Sequence, residues 1–224
     1  MLKYKCLVLD HDDTVVQTER TIGYPYFRDY IERIRPGKTL SFAEYVKDCN
    51  NMVFADMCAQ RWQMTDEEQR EEYTGWKAYS RLHIPEVCHG MERVIRRQLE
   101  AGGLVCVASL STREIIERDF MYHFGVLPAA IYDYDLPPHL RKPNTYALEQ
   151  IMEQFSLKAE DLLMVDDMKL GYTMAAVLGV DTAFAGWSKA DFPELTRQMR
   201  KLCRYAFDTP AELEAFLFGD TRED

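Results

Sequence analysis

Two patterns of apolar residues alternate along most of this chain. Short continuous apolar runs are typical of strands that are buried on both faces of a sheet. Segments in which apolar residues recur every three or four positions are typical of helices with one buried face. The predicted strands lie at residues 6–9, 104–108, 130–132, 162–165, 182–185 and 204–207. The predicted helices between and after the later strands lie at residues 86–101, 112–124, 145–155, 168–178, 191–202 and 209–217. This alternation favours an α/β fold with a parallel sheet and right-handed crossovers.

Residues 17–85 show a different pattern, without a clear strand, and are rich in Tyr, Arg, Glu, Met and Gln. Ser41 precedes Glu44, and Thr65 precedes Glu68, at the spacing of a helix-capping box. Helices are predicted at residues 29–35, 41–56 and 65–82, with breaks at Pro36-Gly37 and at Gly75. We therefore expect an all-helical domain at residues 17–85, inserted into a core domain formed by residues 1–16 and 86–224.

The candidate chemistry lies where predicted strands end. The first strand runs into Asp10, with Asp12 two residues on, and the second runs into Ser109. Lys142 lies in the loop after the third strand, and Asp166-Asp167 ends the fourth. In an open parallel α/β sheet, ligands bind at the edge formed by the carboxyl ends of the strands. We therefore expect two acidic sites, a hydroxyl group and a lysine to converge there.

This combination of side chains suits phosphoryl transfer. Carboxylates at two strand ends can hold Mg²⁺, which prefers oxygen ligands. Ser109, the backbone amides beside it and Lys142 can neutralise the oxygens of a phosphoryl group. The remaining aspartates provide for one nucleophile and one general acid/base.

Composition and charge narrow the range of partners. The net charge of −10, from 37 acidic and 27 basic residues, disfavours binding to nucleic acids and to anionic membranes. Six scattered cysteines without a CxxC pair indicate reduced thiols and a cytoplasmic protein. No apolar run has the length of a signal peptide core or of a membrane span. We expect a small phosphorylated metabolite as the partner, and a monomer or homodimer.

The polar sites also resemble the motifs of a known superfamily. The segment Asp10-His11-Asp12-Asp13-Thr14, Ser109, Lys142-Pro143 and Asp166-Asp167 resemble, in order and spacing, the four motifs of the haloacid dehalogenase superfamily. The resemblance covers almost the whole chain and is greatest to the phosphatase-like branch that includes phosphoglycolate phosphatase and β-phosphoglucomutase. It implies a Rossmann-like three-layer core with a parallel sheet, and it makes the helical insert similar to the C1 cap of that branch.

The resemblance implies a role for each motif residue. Asp10 would be the nucleophile that forms an aspartyl-phosphate, and Asp12 would protonate the leaving oxygen and then activate water. Thr14 would orient the loop. The residues that would bind the phosphoryl group are Ser109, Leu110 and Lys142. The residues that would hold Mg²⁺ are Asp10, Asp12 (through its backbone carbonyl), Asp166 and Asp167.

Some positions depart from the family pattern. Many members have Gly where this chain has Asp13, and His11 between two aspartates is less usual. Ser111 competes with Ser109 for the second motif, and Ser109 is preferred because it directly follows the apolar strand. We expect His11 at the entrance of the site, where it could contact substrate. A buried imidazole with satisfied partners is an equally weighted alternative.

The motifs leave more than one activity open. We expect a Mg²⁺-dependent phosphatase that hydrolyses a small phosphomonoester. A phosphomutase would use the same residues but shelter the aspartyl-phosphate from water. A dehalogenase has no need for the acidic metal site, and the phosphonate-hydrolysing branch has a non-acidic residue at the position of Asp12. A non-catalytic regulator that binds a phosphorylated ligand on the same fold is the alternative from another class, and the intact set of charged groups argues against it.

Overall fold

The chain divides into two compact units in the computed structural model, which describes residues 2–219. The core unit holds residues 2–16 and 87–219 of this range, and the helical unit is Gln17–Glu86. Each unit has its own helices and its own buried residues, and the two are described in turn.

A six-stranded parallel sheet forms the centre of the core unit. Its strands are β1 (Cys6–Leu9), β2 (Leu104–Ala108), β3 (Ile131–Tyr132), β4 (Leu162–Asp166), β5 (Asp181–Ala185) and β6 (Tyr205–Phe207). Their order across the sheet is β3-β2-β1-β4-β5-β6. The chain therefore moves outward in one direction from β1 and in the other from β4. The carboxyl ends of β1 and β4 meet at the point where the strand order reverses, which is where ligands bind in open α/β sheets.

The helical unit is built from four α-helices. They are α1 (Tyr24–Ile34), α2 (Phe42–Asn51), α3 (Phe54–Gln60) and α4 (Asp66–Arg81), preceded by a π-helical turn at Glu19–Gly23. Both predicted capping boxes are confirmed, at Ser41 with Glu44 and at Thr65 with Glu68. The single helix predicted at residues 41–56 is instead two helices, because the backbone at Met52 is extended.

Gly75 does not break a helix, contrary to the prediction. It lies inside α4, and a Cβ atom at this position would overlap the side-chain hydroxyl of Tyr26. That hydroxyl donates a hydrogen bond of 3.1 Å to the backbone carbonyl of Glu72, also in α4. Glycine is therefore required here because the ring of Tyr26 approaches the helix closely, and not because the chain turns.

Six α-helices belong to the core unit. They are α5 (Met91–Glu100), α6 (Arg113–Phe124), α7 (Tyr146–Phe155), α8 (Lys169–Leu178), α9 (Pro193–Leu202) and α10 (Pro210–Phe218). The predicted helix at 86–101 begins five residues later than expected. Val87 forms an isolated β-bridge with Val16. Gly90, which immediately precedes the first helical residue, has a left-handed backbone (φ 102°).

Helices cover both faces of the sheet. Leu7 and Leu9 of β1 belong to one apolar cluster, and Cys6 and Val8 belong to the other, as expected for side chains that alternate across a strand. The first cluster includes side chains of α5, α6 and α10, and the second includes side chains of α7 and α8. This arrangement confirms the Rossmann-like three-layer core predicted from the sequence.

All six cysteines are free thiols, and the two closest, Cys6 and Cys106 on neighbouring strands, have their sulfur atoms 3.7 Å apart. Among residues 2–219, none of the helices combines the length and the apolar character that a membrane crossing requires.

Candidate active site

Two carboxyl groups leave the sheet side by side at its carboxyl edge. Asp166 is the last residue of β4, and Asp10 directly follows β1. Leu9 pairs with Val165, and the backbone N–H of Asp10 donates to the carbonyl of Val165 at 2.9 Å. Both aspartates are buried, so their charges need partners within the protein or a bound cation.

Lys142 supplies a cation to both of these groups. Its Nζ donates to Oδ1 of Asp10 at 2.8 Å and to Oδ2 of Asp166 at 2.7 Å. Burial by itself lowers the pKa of Lys142, but the two carboxylates outweigh it, so that the pKa lies above its usual value. Lys142 is therefore an ammonium group at neutral pH. The sequence predicted that two acidic strand ends and this lysine would converge, and the structure brings the three side chains into direct contact.

Asp10 has the raised pKa expected of a buried carboxyl group. Burial raises it, Lys142 lowers it, and the neighbouring charges of Asp166 and Asp12 raise it again, to about 6. The group is therefore mostly ionised at neutral pH, which a nucleophile requires. A cation bound beside it would favour the ionised form further.

Three buried carboxylates fit a divalent cation. Asp10, Asp166 and Asp167 each offer an oxygen, and these oxygens lie within 4.8 Å of one another. An all-oxygen, anionic donor set is what Mg²⁺ prefers. Burial raises the pKa of Asp167 well above its usual value, so a bound cation would favour its ionised form.

The start of α8 fixes the orientation of Asp166. The backbone N–H of Met168 donates to Oδ1 of Asp166 at 2.7 Å. Gly171, in the first turn of α8, faces the other side of this carboxyl group, because a Cβ atom there would overlap Asp166 Oδ2. The helix can approach the aspartate this closely only because residue 171 is glycine.

Thr14 and Ser109 have different relations to the acidic cluster. Thr14 is fully buried, and its hydroxyl donates to Oδ1 of Asp167 at 3.5 Å. Ser109 directly follows β2, the neighbour of β1, and its Oγ accepts a hydrogen bond of 3.1 Å from the backbone N–H of Ser111. Leu110 is the next residue and is half-buried. Thr14 thus reaches the acidic cluster directly, whereas Ser109 and Leu110 are placed at the same edge by the sheet.

The comparison with known families agrees with this geometry. A family model described as "Haloacid dehalogenase-like hydrolase" matches residues 7–185. The chain belongs to this family. The matched residues run from β1 to the end of β5 and include every motif residue singled out in the sequence, so the predicted family is confirmed. No curated protein matches the chain.

Solved structures share the fold of this hydrolase at low sequence identity. A haloacid dehalogenase-like hydrolase from Bacteroides fragilis has a TM-score of 0.76 and 18% identity, covering 94% of this chain and 100% of its own. A predicted phosphoglycolate phosphatase from Haemophilus somnus has a TM-score of 0.72 and 14% identity, with coverage of 96% and 99%. CbbY from Rhodobacter sphaeroides, in complex with xylulose-(1,5)bisphosphate, has a TM-score of 0.71 and 15% identity, with coverage of 94% and 96%.

Sequence reasoning missed Lys189 in this hydrolase. Its side chain is fully buried, with Nζ 2.6 Å from Asp13 Oδ2 and 2.7 Å from Asp167 Oδ2. Lys189 follows the short 3₁₀ turn Gly186–Ser188 at the carboxyl end of β5. Asp13 has a left-handed backbone (φ 55°), a conformation that suits the glycine found in many family members. In the sequence, the one indication of a further buried cation was the additional carboxylate at residue 13, which has no role in the predicted site.

His11 is the second feature that the motifs do not explain. Its side chain is fully buried, so the alternative of a buried imidazole describes it, and the predicted place at the entrance of the site does not. Nδ1 lies 3.3 Å from Asp12 Oδ1, and Nε2 lies 3.3 Å from Asp119 Oδ2. Burial lowers the pKa of His11, but Asp119 and Asp12 more than offset it and raise the pKa to about 9. Asp119, on α6, was not predicted as a site residue.

Proposed function

We propose that this protein is a Mg²⁺-dependent phosphatase that hydrolyses a small phosphomonoester through an aspartyl-phosphate on Asp10. The observation that carries the proposal is the bridge from Lys142 Nζ to Asp10 and Asp166 beside a third buried carboxylate, Asp167. One lysine among three aspartates at a strand switch point provides a nucleophile, a cation site and a positive group for a phosphoryl oxygen.

In the first half of the proposed reaction, the carboxylate of Asp10 attacks phosphorus. The bond between phosphorus and the ester oxygen breaks, and Asp12 gives its proton to that leaving oxygen. Lys142, Ser109 and the backbone N–H of Leu110 bind the phosphoryl oxygens, where negative charge must be neutralised as the group is transferred. General acid catalysis at the leaving oxygen contributes typically 10²- to 10⁴-fold, so Asp12 matters most for poor leaving groups.

In the second half, Asp12 acts as the base. It takes a proton from water as the water oxygen attacks phosphorus, the bond from phosphorus to Asp10 breaks, and inorganic phosphate is released. Asp12 has then regained the proton that it gave away. This exchange of roles requires a carboxyl group that is close to water, and the Asp12 side chain is 22% exposed, in contrast to the buried Asp10.

Mg²⁺ would be held by Asp10, Asp166, Asp167 and the backbone carbonyl of Asp12, and when bound it would neutralise phosphoryl oxygens and favour the ionised form of Asp10. We further propose that the helical unit Gln17–Glu86 is the cap of this enzyme and sets its choice of substrate. The negative charge of the whole chain favours a small substrate over nucleic acid.

The test is the substitution Asp10→Asn, which keeps the shape of the side chain and removes the nucleophile. We expect hydrolysis of p-nitrophenyl phosphate in Mg²⁺ to fall to background, while the circular dichroism spectrum stays that of the wild type. Asp181→Asn is a matched control, because Asp181 lies at the opposite, amino end of β5. It should retain turnover.

Two results would contradict the proposal. Wild-type turnover in Asp10→Asn would exclude Asp10 as the nucleophile. No turnover by the wild type across sugar phosphates, nucleotides and phosphoglycolate, with and without Mg²⁺, would favour a regulator that binds a phosphorylated ligand. Release of inorganic phosphate, measured directly, separates hydrolysis from a mutase reaction.

A further inference from the structure

We propose that His11 and Asp119 are positioning residues that hold the carboxyl group of Asp12 for proton transfer. The proposal deepens the function proposed above and rests on it. It assigns a task to a histidine and to an aspartate of α6 that the four family motifs do not include.

The contacts form a series that runs inward from Asp12 through His11 to Asp119. Nδ1 of His11 is within hydrogen-bond distance of Asp12 Oδ1, and Nε2 faces Asp119 Oδ2, both at 3.3 Å. A neutral imidazole donates from only one ring nitrogen, whereas an imidazolium donates from both. A ring with a carboxylate at each nitrogen can therefore donate to at least one of them, and it spans the distance between Asp12 and Asp119.

Asp119 is a buried carboxyl group that lies between His11 and Arg118. It lies fully buried on the face of α6 that also holds Ile115, Ile116 and Phe120. Its Oδ1 accepts a hydrogen bond of 2.7 Å from Nε of Arg118, and its Oδ2 faces His11. A carboxylate buried on an apolar helix face is costly unless it is paired, and His11 together with Arg118 provides the pairing.

Of the three side chains in contact, only that of Asp12 is appreciably exposed, so Asp12 is the one whose orientation the contacts restrict. His11 and Asp119 are held by the core, with side chains that are 0% exposed, while that of Asp12 is 22% exposed. An exposed carboxyl group on its own samples several rotamers, and a misplaced catalytic group costs rate. A contact from a fixed, buried ring to Oδ1 restricts Asp12 to one orientation.

The experiment measures kcat/KM for a series of substituted phenyl phosphates with leaving groups of increasing pKa. In His11→Phe, which keeps a flat ring and removes both contacts, we expect a loss of roughly 10- to 100-fold for the poorest leaving group. The best leaving group needs little protonation, so its loss should be about threefold or less. The dependence on leaving-group pKa should therefore become steeper than in the wild type.

Asp119→Asn is the second variant, because it leaves His11 in place and keeps the shape of the side chain. It should steepen the same dependence by a smaller amount, and it carries the test if His11→Phe does not fold. The affinity for Mg²⁺, measured by calorimetry, should be unchanged in Asp119→Asn, since Asp119 is outside the proposed metal group. A matched control is Glu214→Gln, which alters a buried carboxylate paired with Arg93 and Arg97 instead.

The outcomes separate this proposal from the function on which it rests. Equal losses for all leaving groups in both variants would show a merely structural role for His11 and Asp119 and would overturn the inference. So would a change in Mg²⁺ affinity that accounts for the loss in Asp119→Asn. An inactive wild type would overturn the phosphatase itself, and the positioning role with it.

Discussion

Buried charges are treated differently in the two units of this hydrolase. In the core unit, buried carboxylates lie against buried cations, in the sets Lys142 with Asp10 and Asp166, and Lys189 with Asp13 and Asp167. In the helical unit, Glu72 is nearly as buried, but burial alone governs it and raises its pKa to about 8. The core therefore keeps its charges, and the helical unit keeps Glu72 largely protonated at neutral pH.

The difference shows what each kind of burial is suited to. A buried charge that is paired within the protein can instead bind a ligand, because a phosphoryl group or a cation can take the place of its partner. A lone buried carboxyl group responds instead to pH, because it can exchange its proton with solvent as the pH changes. This difference predicts how variants of the two units should behave.

Lys142→Met should have the largest effect, and it should fall on catalysis. The substitution removes the positive group beside Asp10 and Asp166 without changing the length of the side chain greatly. Loss of one charge-stabilising group typically costs 10²- to 10³-fold in kcat, so we expect a decrease of roughly that size. Steady-state kinetics with p-nitrophenyl phosphate in saturating Mg²⁺ would measure it. A decrease of less than about threefold would remove Lys142 from the phosphate site.

Lys189→Met should instead act mainly on stability. Its Nζ is the buried cation between Asp13 and Asp167, and removing one member of a buried ion pair costs about 3–5 kcal/mol. The free energy of unfolding in urea at pH 7 would measure the loss. An unchanged midpoint would show that the two aspartates do not depend on this lysine.

A second substitution tests whether the effect of Lys189→Met comes from its contact with Asp13. Asp13→Gly removes one of the two carboxylates and suits the left-handed backbone at residue 13. The double variant Asp13→Gly/Lys189→Met should therefore be more stable than Lys189→Met alone, although it has one more substitution. Additive losses in the double-mutant cycle would contradict direct coupling between the two side chains.

The effect expected from Glu72→Gln is a change in the pH dependence of stability. The folded state holds a proton on Glu72 up to about pH 8, whereas an unfolded glutamate loses it near pH 4.3. The folded state thus binds more protons between these values, and stability must fall as pH rises, by at most about 1.4 kcal/mol per pH unit. Glu72→Gln should flatten this slope.

Urea unfolding of both proteins at pH 5, 6, 7 and 8 would test this prediction. Glu71→Gln is the matched control, because Glu71 is the neighbouring, exposed residue and is paired with Arg33. It should leave the slope unchanged. Equal slopes in the wild type and in Glu72→Gln would show that Glu72 is not protonated in the folded state.

The sequence was sufficient to predict the sheet and the residues that its strand ends bring together. Asp10 and Asp166 could be found because each ends a recognisable apolar run, and parallel strands place their carboxyl ends at one edge. Lys142 could be found because it lies in the loop that follows the third strand. The roles assigned to these residues stay predictions. Their contacts, however, are those that the strand pattern implies.

Other features depend on tertiary neighbours and have no periodic signal. Lys189 lies in an irregular turn after β5, and Asp119 is one carboxylate within an otherwise apolar helix face. Gly75 looks the same in the sequence whether it ends a helix or makes room for the ring of Tyr26. In each case, the partner that explains the residue is distant along the chain.

The strand order has a consequence for how the enzyme is made. Asp10 directly follows β1, but the neighbours of β1 in the sheet come much later along the chain, as the pairing of Leu7 with Val105 and with Leu163 shows. At 5–20 residues per second, roughly 10–30 s of translation separate β1 from β4. During that time β1 lacks at least one of its two neighbours, so the contacts between Asp10 and Asp166 can form only after β4 has been made.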